Sequence, residues 1–240
     1  MYLKLDRVKL KAFYKLARLN TIMDFFPILG ILSVFGTRST INIATIVTLI
    51  CMLFLFLSAF IINDINDADD DAMDPKKALR NPISAKILTL EEAYNFFFLI
   101  SLIGLVPLLF VSINSFIVGL AIFIVGYLYS AKPIRLKARV LLDILSHGFF
   151  LAAAQIIMFS QLPGSVLDKA TITMAIAVYI FSMGGDLYNE SRDWEVDRLS
   201  GLKNTSHYLG FKTTRILSIS FYVLGVALVV ASTVTIIFKL

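Results

Sequence analysis

The stretch Asn63-Asp64-Ile65-Asn66-Asp67-Ala68-Asp69-Asp70-Asp71 closes an apolar run that begins near residue 40. A second stretch, Asn189-Glu190-Ser191-Arg192-Asp193-Trp194-Glu195-Val196-Asp197, closes another that begins near residue 170. Both fit the pattern Asn-acid-x-x-Asp-x-x-x-Asp. Carboxylates set against hydrocarbon are costly, so each cluster asks for a cation or a partner. Asn63 aligns with Asn189, Asp64 with Glu190, Asp67 with Asp193 and Asp71 with Asp197, all at one constant offset.

On a helix, positions i, i+4 and i+8 share a face. Asn63, Asp67 and Asp71 therefore form one stripe, and Asn189, Asp193 and Asp197 form another. Two such stripes facing across a cavity are suited to one or two hard cations with oxygen ligands alone. Mg2+ fits that donor set, because it prefers carboxylates together with water and substrate phosphate. Neither motif contains histidine or cysteine, which argues against zinc.

The chain is 58% hydrophobic and only 16% charged, with mean hydropathy +0.82. That is the composition of a polytopic membrane protein. Runs long enough to cross ~30 Å of hydrocarbon are expected at about 21–37, 40–62, 94–112, 114–131, 140–161, 170–188 and 214–238. The expectation is an all-α bundle of about seven spans, forming a single domain over 1–240. A duplicated helical unit is expected, with halves at about 1–139 and 140–240, because the motifs end equivalent spans.

The basic residues are one-sided. Nineteen of the 22 Lys and Arg fall in the N-terminal segment and the loops beside the two motifs, while Arg38, Lys169 and Lys239 alone fall on the other side. The positive-inside rule places the N-terminus and both motifs in the cytoplasm of a multi-pass cell-membrane protein. The net charge of +5 reflects that topology, and no nucleic acid partner is expected. Residues 1–19, with Lys4, Arg7, Lys9 and Lys11 among apolar positions, are expected to form an amphipathic helix on the cytoplasmic membrane surface. The single cysteine, Cys51, is read as packing.

Carboxylates that hold Mg2+ with open positions commonly receive a phosphorylated ligand. Arg80, Lys132, Arg192, Lys203 and Arg198 offer charge for a diphosphate. Metal and cations together stabilise a departing pyrophosphate. If that diphosphate is allylic, its loss leaves a carbocation, which an aromatic cavity shields from water.

At these residues the chain resembles the UbiA superfamily of intramembrane prenyltransferases. The resemblance is carried by Asn63-Asp64-x-x-Asp67-x-x-x-Asp71, Pro75-Lys76-Lys77, Arg80-Asn81-Pro82-Ile83-Ser84, Tyr129-Ser130-Ala131-Lys132-Pro133 and Asp197-x-x-x-Gly201-x-Lys203-Asn204-Thr205. It implies that Asn63, Asp67, Asp71, Asn189, Asp193 and Asp197 hold Mg2+, with Asp67, Asp71, Asp193 and Asp197 essential to catalysis and Asp64 and Glu190 in support. It implies that Arg80, Tyr129, Lys132 and Lys203 contact the diphosphate. The implied reaction moves a prenyl group from a geranyl-, farnesyl- or geranylgeranyl-class diphosphate to a lipophilic, often aromatic, acceptor in the membrane lipid. The family pattern has nine spans against the seven counted here. Glu190 stands where aspartate is common, and Asn81 separates Arg80 from Pro82.

Plainer readings apply elsewhere. Asp69, Asp70 and Asp74 are expected to be solvated charges, and Arg135 an interfacial anchor. His147 is expected to be a packed or hydrogen-bonded residue, and Gln155 to join an interhelical hydrogen bond. His207 shows no partner in the sequence. Asp24 and Asp143 lie near inner helix ends, in reach of loop bases. Trp194 either walls the cavity or sits at the interface. The competing function is a divalent-cation or small-solute transporter, which requires polar residues through the full bilayer. Phosphatidyl transfer is disfavoured because the acidic segments lack its Asp-Gly and Ala-Arg positions.

Overall fold

A computed structural model of the protein describes residues 7–199 and 201–239, without the side chains of Val196, Asp197 and Leu199. Lys4 of the N-terminal basic segment lies outside the described residues. The described chain is helical throughout: α1 Arg7–Leu16, α2 Leu19–Met23, α3 Phe26–Gly36, α4 Ile43–Asp71, α5 Pro75–Arg80, α6 Leu90–Leu105, α7 Leu108–Val111 and α8 Ile113–Ser130 come first. Then follow α9 Leu142–Gly148, a π-helical turn Phe149–Ala153, α10 Ala154–Ser160, α11 Lys169–Arg192, α12 Trp194–Leu199, α13 Thr205–Leu209 and α14 Phe211–Phe238.

Among the described residues, six stretches are long and apolar enough to cross a membrane: Ile43–Asp71, Leu90–Val111, Ile113–Ser130, Leu142–Ser160, Lys169–Arg192 and Phe211–Phe238. The run expected to span at 21–37 is instead broken into α2 and α3. Pro27 explains the break. Its ring opposes the carbonyl four residues back, at Met23, where α2 ends. The pieces still run from the motif end to the far end. There Val166 N–H donates to the Thr37 carbonyl at 2.9 Å, and Arg38 pairs with Asp168.

Helix length positions the motifs. Residues 43–62 supply the twenty positions that ~30 Å requires, so the rest of α4 is residues 63–71, the first motif. In α11 the twenty positions 169–188 leave Asn189 as the next residue. Side-chain caps fix both starts: Asn42 accepts from Thr45 N–H at 3.0 Å and Asp168 from Thr171 N–H at 3.0 Å.

Within the described residues the expected surface helix is α1, which ends at Leu16 rather than at 19. It rests on the bundle through buried Ala12 and Leu16 and the Phe13–Phe96 ring pair at 4.9 Å. Lys9 pairs with Glu92, which also completes the Thr89 capping box of α6. At the other end of the chain, α14 lies along α11. A Cβ at Gly225 would stand 2.8 Å from the Phe181 Cβ, so only glycine permits that approach. Ser218 and Ser232 hydroxyls donate to the Gly184 and Ala170 carbonyls at 2.8 and 2.7 Å, tying the two helices together.

Candidate active site

The ends of α4, α8, α9 and α11, with the segments that follow them, enclose a cavity of about 260 Å³ at the motif end of the bundle. Asn63, Asp67 and Asp71 from the first motif line it, and Asn189, Glu190 and Asp193 from the second. Lys77 Nζ reaches to 3.9 Å from Asp193, so α5, which follows motif one, touches motif two directly. The Asp197 side chain lies outside the described residues.

Each acid in the mouth is held by a cation or an amide. Asp67 accepts from Lys137 Nζ at 2.5 and 2.7 Å and from Arg135 Nη2 at 3.0 Å. Asp71, buried, accepts from Asn81 Nδ2 at 3.0 Å and has Arg80 at 3.7 Å. Asn81 also donates to the Asp64 carbonyl at 2.8 Å, which pins the start of the following loop against α4. Asp64 itself points away from the cavity into a two-point pair with Arg18 and is only 1% exposed. Arg18 is in turn a lining residue and lies over the Phe60 ring at 5.5 Å.

The sequence expectations are sorted by this geometry. Arg80 and Tyr129 line the cavity. Lys132 and Lys203 are exposed and outside its wall, although the Lys132 N–H donates to Asn66 Oδ1 at 3.2 Å. Asp70 is not a solvated charge: it accepts from Arg135 at 2.7 Å and faces the cavity. Asp69 is exposed as expected, and Asp74 caps α5 by accepting from Lys76 and Lys77 N–H at 2.8 and 3.3 Å. Among the described residues Asp143 pairs with no base; fully buried, it accepts from both the N–H and the hydroxyl of Thr205. His207 has partners after all, stacking on Trp194 at 4.4 Å and meeting Asn204 Oδ1 at 2.6 Å.

Arg135 and Lys137 were legible only as loop charges, yet both enter the cavity. A left-handed residue at Arg135 (φ 43°) and a 3₁₀ turn over Leu136–Ala138 fold their loop back over the mouth. Burial works against charge on Arg135, but Asp70 and Asp67 outweigh it and hold the guanidinium above its ordinary value. For Lys137 burial prevails over the attraction of Asp67 and draws the ammonium below its ordinary value.

Beneath the mouth lies a second layer. Tyr129 donates to Asp186 at 3.1 Å, His147 Nε2 stands 3.7 Å from Asp186, and the Tyr129 and Phe150 rings meet at 5.3 Å. Asp186 was missed in the sequence. The available signal was a lone carboxylate inside an apolar run, which by itself marks a functional candidate.

The donor set suits a hard cation. Carboxylate and amide oxygens alone come from the motifs, next to bases able to meet phosphate. Among the described residues, no three His, Cys, Asp or Glu side chains already converge on one metal position. Lysine and arginine hold the acidic charge in balance instead.

Comparison with known proteins adds a family. The model of the UbiA prenyltransferase family matches residues 25–239. A lycopene elongase/hydratase of Haloarcula japonica is 28% identical over 156 residues, covering 64% of this chain and 50% of that protein. The match thus spans half the length of that relative. A UbiA homologue of Archaeoglobus fulgidus, in a structure bound to GPP and Mg2+, superposes with a TM-score of 0.78 at 20% identity, over 95% of this chain and 84% of that one. The structure of a digeranylgeranylglyceryl phosphate synthase gives 0.70 at 21% identity, over 96% and 78%. An apo UbiA homologue of Aeropyrum pernix K1 gives 0.71 at 19%, over 97% and 81%. At such identities the structural likeness speaks to the fold.

Proposed function

Because the chain belongs to the UbiA prenyltransferase family, we propose that it moves a prenyl group from an allylic isoprenyl diphosphate to a lipophilic acceptor within the membrane. The observation that carries this reading is one cavity with two layers: acids and bases from both motifs at the mouth, and an aromatic floor directly below.

Asp67, Asp71, Asp193 and Asp197, with Asn63 and Asn189, are assigned to Mg2+. When bound, the ion supplies positive charge against the departing diphosphate. Arg80, Arg135, Lys137 and Lys77 are assigned to the diphosphate oxygens, with Tyr129 at the boundary between head group and chain. Lys137 and Arg135 pair with Asp67. A phosphate entering the mouth gives them a second anionic partner, which frees the carboxylate oxygens of Asp67. Asp64 fixes Arg18 at the cavity wall, and Glu190 anchors the α12–α13 segment by accepting from Ser206 N–H at 3.0 Å. Phe60, Phe150 and Tyr129 flank the space next to the reacting carbon, where aromatic faces favour a cation and exclude water.

The one-sided charge assigns the mouth to the cytoplasmic side of a cell membrane. Motifs at equivalent ends of α4 and α11 support the reading of residues 1–139 and 140–240 as a duplicated unit. The test is incubation of the purified protein with labelled geranyl, farnesyl and geranylgeranyl diphosphates, Mg2+ and a native lipid extract. Mass spectrometry is expected to find a prenylated lipid that depends on Mg2+. Absence of any such product with all three donors overturns the reading.

A further inference from the structure

Transfer of a prenyl cation to an unsaturated acceptor leaves a proton to be removed, and the cavity floor holds a group placed to remove it. We propose that His147 is that proton acceptor, an assignment that rests on the prenyl-transfer reading above. His147 lines the cavity at the end of α9. Its Nδ1 is 3.0 Å from the Ser182 hydroxyl, which fixes the ring. Gly148 makes this possible: a Cβ there would stand 3.0 Å from the Tyr179 carbonyl, so glycine lets α9 close on α11.

The other nitrogen, Nε2, is 3.7 Å from Asp186 Oδ1, beyond hydrogen-bond length, and among the described residues no hydrogen bond occupies it. Asp186 is kept in place by the Tyr129 hydroxyl, at 3.1 and 3.4 Å from its two oxygens. With Nδ1–H donating to the Ser182 hydroxyl, Nε2 carries the ring's lone pair, and a carboxylate at that distance offers a counter-charge to the imidazolium once it forms. The neighbouring acids are otherwise engaged. Asp143 accepts from Thr205 and Glu190 accepts from Ser206 N–H.

The Tyr129 and Phe150 rings lie 5.9 and 6.1 Å from the imidazole, so the base sits among the aromatic faces assigned to the cation. In the step, the π pair of the acceptor forms a C–C bond to the allylic carbon, whose C–O bond to diphosphate breaks. The cationic adduct then yields a proton to Nε2, and the C–H electron pair restores the double bond.

The experiment follows diphosphate release, prenylated product and prenyl alcohol together, using labelled farnesyl and geranylgeranyl diphosphates with the lipid extract. His147→Gln is expected to release diphosphate within about threefold of the parent while product formation falls at least about 100-fold, the lower range for loss of a general base. The released chains should appear as prenyl alcohol. Added imidazole should restore product in His147→Ala, a readout that a misfolded variant does not give. Unchanged product in His147→Gln overturns the assignment. So does an equal fall of product and diphosphate release, or failure of imidazole to rescue His147→Ala. A parent protein that forms no prenylated product refutes the function itself, whereas a competent parent with an indifferent His147→Gln refutes this inference alone.

Discussion

Replacing Lys137 with methionine tests how the mouth keeps its charge balance. Lys137 Nζ contacts both Asp67 oxygens at 2.5 and 2.7 Å and Asn63 Oδ1 at 2.9 Å. The two side chains are only 13% and 16% exposed. Removing one partner of a buried pair costs roughly 3–5 kcal/mol because the other charge is left behind. Arg135 remains 3.0 Å from Asp67, so the lower end, about 3 kcal/mol, is the expectation. For a chain of this size that corresponds to a fall in Tm of roughly 6–12 °C. The assay is thermal unfolding in detergent with and without Mg2+. The ion is expected to recover part of the loss in Lys137→Met, because it offers Asp67 a replacement counter-charge. Adding Asp67→Asn to Lys137→Met should also restore part of the stability, since it removes a buried carboxylate left with Arg135 as its remaining close cation. A Tm within about 2 °C of the parent, on the same scale, or a double variant no more stable than Lys137→Met, refutes the charge-balance account.

Asp67→Ala and Asp193→Ala should each cut prenyl transfer by at least about 100-fold, the scale seen when a preorganised electrostatic contact is lost, and an intact size-exclusion profile would separate this from misfolding. At the far end, the Arg38 hydrogen bond, helped by Thr171 N–H, holds the Asp168 carboxyl down at about 2. Its folded value lies below the unfolded one, so its stabilisation is present above about pH 4 and fades as pH falls toward 2. Asp168 is half exposed, so the effect is small, and Arg38→Ala should flatten the Tm-against-pH curve in that window. Gly225→Leu forces a side chain where a Cβ already meets Phe181 at 2.8 Å. It should separate α14 from α11 at a cost of about 1–3 kcal/mol, read by thermal unfolding.

Hydrophobic runs and one-sided charge are local properties, so the all-helical membrane bundle was legible from them. The first motif was legible because helical spacing puts i, i+4 and i+8 on one face, as α4 does for Asn63, Asp67 and Asp71. The same stripe was expected of the second motif, but α11 ends at Arg192 and α12 begins at Trp194, so Asn189, Asp193 and Asp197 do not share one helix. Pro27 was visible too, but its breaking of the 21–37 run was missed because hydropathy averages over a single ring. Lys137 and Arg135 looked like any other basic loop residues. Only the backbone reversal at Arg135 turns them onto Asp67, whereas Lys132 and Lys203, in more suggestive positions, stay outside.

The sequence by itself determined that acids and amides close two apolar runs, how many positions of α4 and α11 are needed to cross hydrocarbon, and therefore that both acidic motifs emerge at one end of the bundle. Tertiary structure alone decided which cations meet those stripes and that His147, Ser182, Tyr129 and Asp186 share a floor. Those neighbours come from α8, α9 and α11, far apart in sequence. Their meeting depends on helix approach, such as the close contact at Gly148, and no local pattern encodes it.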